Sequence, residues 1–543
     1  MPNLADTSCL SVLTMDNTPE EISLRNLVEN PQRYRCLHLY SPLAETATLT
    51  TLAALFADAV NLDLPNESAD ERYIVAQRAP DEVADAVIAY LDEHYDKFEL
   101  DPSLTTIPFM QSRDAITTGT DKGYMLAEYG SVERQLPLPP STVIGNLLAT
   151  NLASLGGITT PAVGDPRLGG SKDSKGNLKP AVQGGKFYGT PVCPQSVHQT
   201  FLALRTTLFD TIRANISKSM VGDFAGTPYW RMSEEQRPDA YGTGGSTVDT
   251  VLYYLTAPYR MIRLVFNGDG RVVSATSTPG AVHPGLGSDE TRRLAREFSP
   301  YAVVSMRKDT PTLVNPNPSG ELSDLKTFLM EPATPSGKLA LPAVLSDILS
   351  LDDDGDDGDA LTEMFKDIRV RSLTTATDSK ATKYTEVSPV EVAFDIRSLN
   401  TPATASTFAL AITTAAEART FYMHAVSDVT LNMSRTETQS ANKFEGILSP
   451  LLRKFVASIH PDSDLVEKEQ EWQNLLKTTA ATAFDSFAMS LPRSALRIYT
   501  GPALTHDKVV PKTVSAARGR FLYRVNGLFV APDTDPKPKK GKK

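Results

Sequence analysis

A chain of 543 residues with 41% hydrophobic and 22% charged residues has apolar material for two or three globular domains, and its composition excludes a disordered or fibrous protein. The formal net charge of −11 argues against a free-standing nucleic-acid binder, whose surface is basic, but leaves room for basic loops on an acidic body. The three cysteines, Cys9, Cys36 and Cys193, are far apart and form no CxxC, which excludes a zinc ribbon, a thioredoxin-type redox pair and a disulfide framework and fits a reducing cytoplasm.

The opening MPNLADTSCLSV lacks a basic region followed by a long apolar run and does not read as a signal peptide. No run of about 18 apolar residues marks a membrane span. Strand-like pieces come first, in SCLSVLTM (8–15) and EEISLRNLV (20–28). Helical patterns follow in TLTTLAALFADAV (48–60) and in APDEVADAVIAYLDEHYDKF (79–98), where Val83, Val87, Ile88 and Leu91 share one face. Residues 131–195 change character. SVERQLPLPPSTV is Pro-rich, and the stretch from Gly164 to Pro191 is rich in Gly, Lys and Ser without a period, which predicts a long loop. CPQSVHQTFLALRTTLFDTIRANI (193–216) reads as a helix. Strand-like pieces recur in DTVLYYLT (249–256), RMIRLVF (260–266), GRVVSAT (270–276), SPYAVVSM (299–306), TPTLV (310–314) and IRVRSL (368–373). TTATDSKATKY (374–384) joins two such strands and reads as a hairpin tip.

SLNTPATAS (398–406) looks like a boundary. Beyond it, helices fit 404–433, 437–459, 464–491 and 513–527, a run that suggests a bundle. In the third, Leu465, Trp472, Leu475, Leu476, Ala483, Phe484, Phe487 and Leu491 form one stripe, and Asp464 with Glu467 makes a capping pair. From His506 to Lys543 there are ten Lys and Arg against three Asp, a net of +7, and PKPKKGKK at the end reads as disordered.

Enzyme motifs fail one by one. The P-loop spacing of Gly164 and Gly169 puts Gly170 in the slot that must hold lysine. DDDGDDGDALTE (352–363) has Asp352, Asp354, Asp356 and Glu363 at calcium-loop offsets but Asp357 where the turn needs glycine, so it reads as a solvated acidic loop. The histidines, His38, His94, His198, His283, His424, His460 and His506, are scattered, with no HExxH and no Gly-x-Ser-x-Gly elbow. What remains is loop chemistry. Lysines on the loops 164–190 and 374–384 suit contact with phosphates and the minor groove, although such loops are more often plain solvated surface.

In their order along the chain, EEISLRNLV, IPFMQ (107–111), GTPV (189–192), TFLALRTTLFDTI (200–212), TPYWRM (227–232), YLTAPYRMIRLVF (254–266) and AARGRFLYRVNGL (516–528) resemble the large, CasA-type subunit of the type I-E CRISPR surveillance complex, Cascade. The resemblance implies an α+β chain: a large mixed α/β domain over 1–400, a C-terminal four-helix bundle over 401–530 and a basic tail over 531–543. It implies a non-catalytic, cytoplasmic subunit with no cofactor and no metal, since the cysteines of the zinc insertion found in some members are missing. Such a subunit recognises the protospacer-adjacent motif (PAM) in double-stranded DNA, starts unwinding and helps recruit a helicase-nuclease in antiviral defence. Its implied partners are the guide CRISPR RNA, PAM-containing duplex, the backbone and small subunits and the helicase-nuclease, with no membrane.

The family's wedge at a hairpin tip falls on Asp378, Ser379, Lys380 and Ala381, with a one-residue register choice open. Members often carry Asn-Gln there, so the bases contacted differ. The glycine loop falls on Gly169 and Gly170 with Lys172 and Lys175, and Gly156 and Gly157 compete for that match. The basic finger falls on Arg296, with Arg292 and Arg293 as alternatives. The loop Ser131–Leu138 resembles the one that contacts the guide's 5′ handle. Two other readings stand beside this one: a hydrolase with an unrecognised site, and a purely structural assembly protein.

Overall fold

The computed structural model describes residues 3–39, 41–99, 139–153, 195–232, 250–257, 260–279, 288–307, 310–313, 339–351, 364, 367–378, 384–399, 401–429, 434–490, 504–505, 508–509 and 514–529. They fall into two compact units, one of Met1–Pro318 with Lys338–Glu391 and one that takes up the chain at Val392.

In the first unit β1 (Leu10–Thr14) lies between β2 (Pro19–Ile22) and β3 (Tyr34–Leu37) in an antiparallel sheet. Period-two alternation sets its faces: Leu10, Val12 and Thr14 are buried, while Ser11 and Leu13 are half-buried. The β1–β2 turn puts Asn17 in the left-handed region, φ 63°, which asparagine tolerates better than most residues. α1 (Leu24–Glu29) starts where Ser23 accepts the Asn26 N–H at 3.1 Å, satisfying one of the orphan donors of the first turn.

α2 (Pro42–Asp63), α3 (Ala69–Arg78) and α4 (Pro80–Glu93) follow. α3 opens with a complete capping box between Ser68 and Glu71. Among the described helices α2 alone is long and apolar enough to cross a membrane, and 89% of its apolar window is buried inside the fold. A helix apolar on all sides needs neighbours on all sides. They are α4, α5 (Pro140–Ala153), α6 (Leu208–Ala214), α7 (Lys218–Val221) and α8 (Val251–Thr256). One charge on α2 is fully enclosed. Asp58 receives both Arg231 nitrogens, at 2.6 and 2.9 Å, and the Tyr90 hydroxyl at 2.7 Å; Trp230 Nε1 in turn donates to the Tyr90 oxygen at 2.8 Å. The segment TPYWRM is thereby locked to α2 and α4. Burial pushes the Asp58 carboxyl above the usual range, against the pull of Arg231 and Tyr90.

Two sequence expectations are corrected here. Residues 193–216 are not one helix: β4 (Val197–Leu204) is a strand, and α6 follows it after Thr207, whose hydroxyl accepts the Asp210 N–H at 3.0 Å. β4 is buried over its last seven residues, so it has no alternation to separate it from a buried helix. Residues 249–256 are not a strand. VLYYLT has strand-forming residue types, yet it forms α8, all six residues buried, with the Thr256 hydroxyl donating to Leu252 O at 2.6 Å and accepting the Tyr229 N–H at 2.9 Å. Burial and this tertiary bond override β propensity.

EEISLRNLV is strand only to Ile22, where β2 ends and Ser23 caps α1; the other predicted strands form. β5 (Arg260–Phe266) pairs with β6 (Val272–Pro279), and β7 (Val304–Arg307) lies between β8 (Thr310–Leu313) and β9 (Leu339–Ala340). α9 (Ser288–Phe298) packs on β8 and α8, and α10 (Ala343–Ser350) on β4 and α7. A third three-stranded sheet has the order β11 (Tyr384–Ala393), β10 (Arg369–Thr377), β4. Pro389 sits in β11, the edge strand of this sheet, where a missing N–H costs no ladder bond.

Among the described residues the second unit has four α-helices: α11 (Pro402–Val429), α12 (Ser434–Ala457), α13 (Leu465–Ser490) and α14 (Val514–Gly527). α11 touches the other three. Tyr422 on α11 stacks on Phe444 at 4.4 Å and meets Phe484, Phe487 and Phe521 edge-on at 5.7–6.3 Å, so one aromatic knot joins all four helices. Trp472 is buried beside Phe455 and donates to the Thr414 hydroxyl at 2.9 Å. Asp464 caps α13, accepting from the N–H groups of Val466 and Glu467.

Candidate nucleic-acid interface

β4 is the frame of the site. Eight residues of β10 pair with it in antiparallel register, from Arg369 opposite Leu204 to Ala376 opposite Val197. Thr377 N–H then donates to Ser196 O at 2.9 Å. The hairpin therefore stays braced up to its tip. Asp378, half-buried, is the first residue beyond β10, and Tyr384 resumes the chain in β11. Ser379, Lys380 and Ala381 lie outside the described residues.

The segment with the glycine-loop residues leaves and re-enters the described fold at this same end of the hairpin. It departs after Ala153, the last residue of α5, whose carbonyl accepts the Tyr384 hydroxyl at 2.6 Å. It returns through Gln195 and Ser196 into Val197, opposite Ala376. Gly169, Gly170, Lys172 and Lys175 lie outside the described residues, as do Gly156, Gly157 and the loop Ser131–Leu138.

The third element also reaches β4. α9 ends at Phe298, and the chain then runs beside β4, with Phe201 N–H donating to Tyr301 O at 2.9 Å and Thr200 bridged to Ala302. Three to four strand residues, about 10–13 Å, separate that point from Val197. Within α9, Leu294 and Ala295 are buried and anchor the helix. Arg293 is held by Glu297, 2.5 Å away one turn on. Arg296 Nε is shielded from water and has no hydrogen-bond partner among the described residues. Of these two candidates Arg296 is the one with an uncommitted donor. Arg292 lies on the same helix.

Buried polar residues line this strand pair: His198, Gln199 and Thr200 on β4 and Thr374 and Thr375 on β10. His198 Nδ1 makes no hydrogen bond among the described residues. Burial alone pushes its pKa down to about 3, so the ring is neutral. Residue-by-residue reading missed Ser196, Val197 and Tyr384, which fix where the loops begin and end. Tyr384 was visible as the aromatic that closes TTATDSKATKY, whereas Val197 was hidden inside a segment read as helix. Among the described residues no three His, Cys, Asp or Glu side chains gather as a metal-ligand set.

The family model for CRISPR-associated protein Cse1 matches residues 3–483. The fold is that of solved Cse1 structures. Thermobifida fusca Cse1 superposes with a TM-score of 0.69 at 18% identity over 97% of each chain. Acidimicrobium ferrooxidans Cse1 gives 0.69 at 18% identity over 97% of this chain and 99% of the other. A chain of a CRISPR RNA-guided surveillance complex gives 0.65 at 14% identity over 97% and 99%. No curated protein sequence matches the chain. The CasA-type resemblance in the sequence and the family match agree, and the chain belongs to the Cse1 family of CRISPR-associated proteins.

Proposed function

We propose that this chain is the PAM-reading subunit of a CRISPR RNA-guided surveillance complex, bound to the guide RNA and to the other Cascade subunits in the cytoplasm. On this reading it performs no catalysis. Asp378, Ser379, Lys380 and Ala381 act as a wedge that enters duplex DNA beside the motif. Gly169 and Gly170, with Lys172 and Lys175, lie along the minor groove, where absent side chains allow close backbone approach. Arg296, with Arg292 and Arg293 as alternatives, supplies a cation to the groove acceptors. Minor-groove reading separates A·T from G·C poorly, so several motifs should be accepted. Opening one step costs a few kcal/mol, which lysine and arginine contacts to the opened strands offset. The opened complex then recruits the helicase-nuclease of antiviral defence.

The observation that carries the reading is the convergence on β4. Both ends of the glycine-rich segment and the tip of the hairpin meet at Val197, Ser196, Ala376 and Tyr384, and the chain after α9 joins the same strand at Thr200 and Phe201. Three recognition elements on one rigid strand can act on one stretch of duplex. The test is a reconstituted complex carrying Lys380→Ala. Affinity for a motif-bearing duplex should fall by about tenfold and the salt slope by about 1. Assembly and binding to a single-stranded target should stay unchanged. Unaltered duplex binding would leave the structural-assembly role as the better account.

A further inference from the structure

A cavity of about 260 Å³ lies in the first unit where β3, α2, α6 and the end of the hairpin away from its tip come together. Leu13, Leu37, Leu49, Leu204 and Leu208 make one wall. The other brings together four guanidinium groups, from Arg35, Arg205, Arg369 and Arg371, against two carboxylates, Glu45 and Glu391. The formal charge of the lining is therefore +2, in a chain whose net charge is −11.

The arginines are unequally engaged. Arg371 is clamped between Glu45 and Glu391. Arg205 Nε is shielded from water and makes no hydrogen bond among the described residues. Its nearest carboxylates are those of Asp367 at 3.5 Å and, from Nη1, Asp210 at 3.9 Å, both longer than a charge-assisted hydrogen bond. Arg369 stands 3.8 Å from Glu391 and reaches only the carbonyl of Arg205, at 3.4 Å. A buried guanidinium without a close acceptor is costly. Arg205 Nε is such a donor, and with the part-exposed Arg369 beside it and an open volume in front it forms a place for an anion.

We propose that this cavity binds a small phosphate monoester. Its phosphate offers acceptors to the arginines of the lining, Arg205 and Arg369 present the planar donor forks that suit phosphate, and the leucine wall covers the organic part. Inorganic phosphate leaves the leucine wall against water. Arg369 and Glu391 stand on the two strands of the hairpin, and Arg205 directly follows β4. The ester therefore ties the base of the hairpin to its frame, and its occupancy stiffens the strand pair that presents Asp378 at the other end. The site is independent of the DNA-reading role proposed above.

The probe is adenosine 5′-monophosphate, added to the full chain at fixed ionic strength. The unfolding midpoint should rise saturably, by about 2 °C or more at hundredfold excess over the dissociation constant. Adenosine should give no rise, and inorganic phosphate a smaller one. Cys36 also lines the cavity, so its alkylation, followed by peptide mass spectrometry, should slow severalfold with the ester bound. That readout needs no variant. Arg205→Gln and Arg369→Gln, checked for folding by circular dichroism, should each weaken both effects at least tenfold. The proposal is overturned by an unprotected Cys36 in the unaltered chain, by undiminished protection in folded Arg205→Gln, or by equal effects of inorganic phosphate and the ester. It is also overturned if only a 5′-phosphorylated oligonucleotide protects Cys36, because the acceptor is then a nucleic-acid strand.

Discussion

Asp58 is completely enclosed, and Arg231 and Tyr90 are what make a carboxylate tolerable there. Removing one partner leaves a buried charge behind. Arg231→Leu should therefore destabilise the first unit by about 3–5 kcal/mol, and adding Asp58→Asn should restore part of that loss. Urea unfolding of the three variants checks it; equal stability of the single and double variants would contradict it. His198 gives a pH dependence of definite sign. Its folded pKa, about 3, lies below the ordinary histidine value of 6.5. The unfolded chain therefore takes up a proton between those values and the folded chain does not. The stability linked to His198 is complete above pH 6.5 and is lost as pH falls toward 3, by about 2 kcal/mol between pH 7.5 and pH 5. His198→Asn should remove that component of the slope, measured as the difference between the two unfolding curves across this range.

At the scale of elements, the helices of the second unit were legible because each shows one apolar stripe to its neighbours. The expected 513–527 is found at Val514–Gly527, and 464–491 at Leu465–Ser490. β4 was illegible for the opposite reason, since burial on both faces erased its period. α8 was misread because packing decided against propensity. The strand that frames the candidate interface was thus the hardest to read, although the hairpin next to it was plain in the sequence. The hairpin strands are marked by the small polar residues between them, while β4, buried over its last seven residues, shows no alternation. Two mid-helix glycines, Gly446 in α12 and Gly519 in α14, have no explanation inside the fold, since a methyl group at either would meet nothing within 4 Å. Gly519→Ala should stabilise the second unit by up to about 1 kcal/mol, because glycine is the poorer helix former. Thermal unfolding checks the sign, and a loss of stability would mean that the exposed face of α14 is constrained in a way the helix itself does not reveal.

At the scale of the molecule, charge and assignment fit together. An acidic chain need not grip DNA alone when it works inside a ribonucleoprotein, because other subunits can supply most phosphate contacts. On the proposed reading its own part is selective contact through a few basic residues. The family was legible because short motifs kept their order over nearly the whole chain. The individual contacts proposed were not, because the residues assigned to the wedge and the glycine loop lie outside the described residues, between flanking positions such as Ala153, Val197 and Tyr384 that have no chemical signature of their own. The most direct measurement compares guide-loaded complex with and without this chain on duplexes that differ only in the motif beside the target. The account predicts motif-dependent binding only when the chain is present, with matched and unmatched motifs differing by tenfold or more, as expected when base-pair discrimination costs about 1–3 kcal/mol per position. Identical binding and identical motif preference without the chain would contradict it.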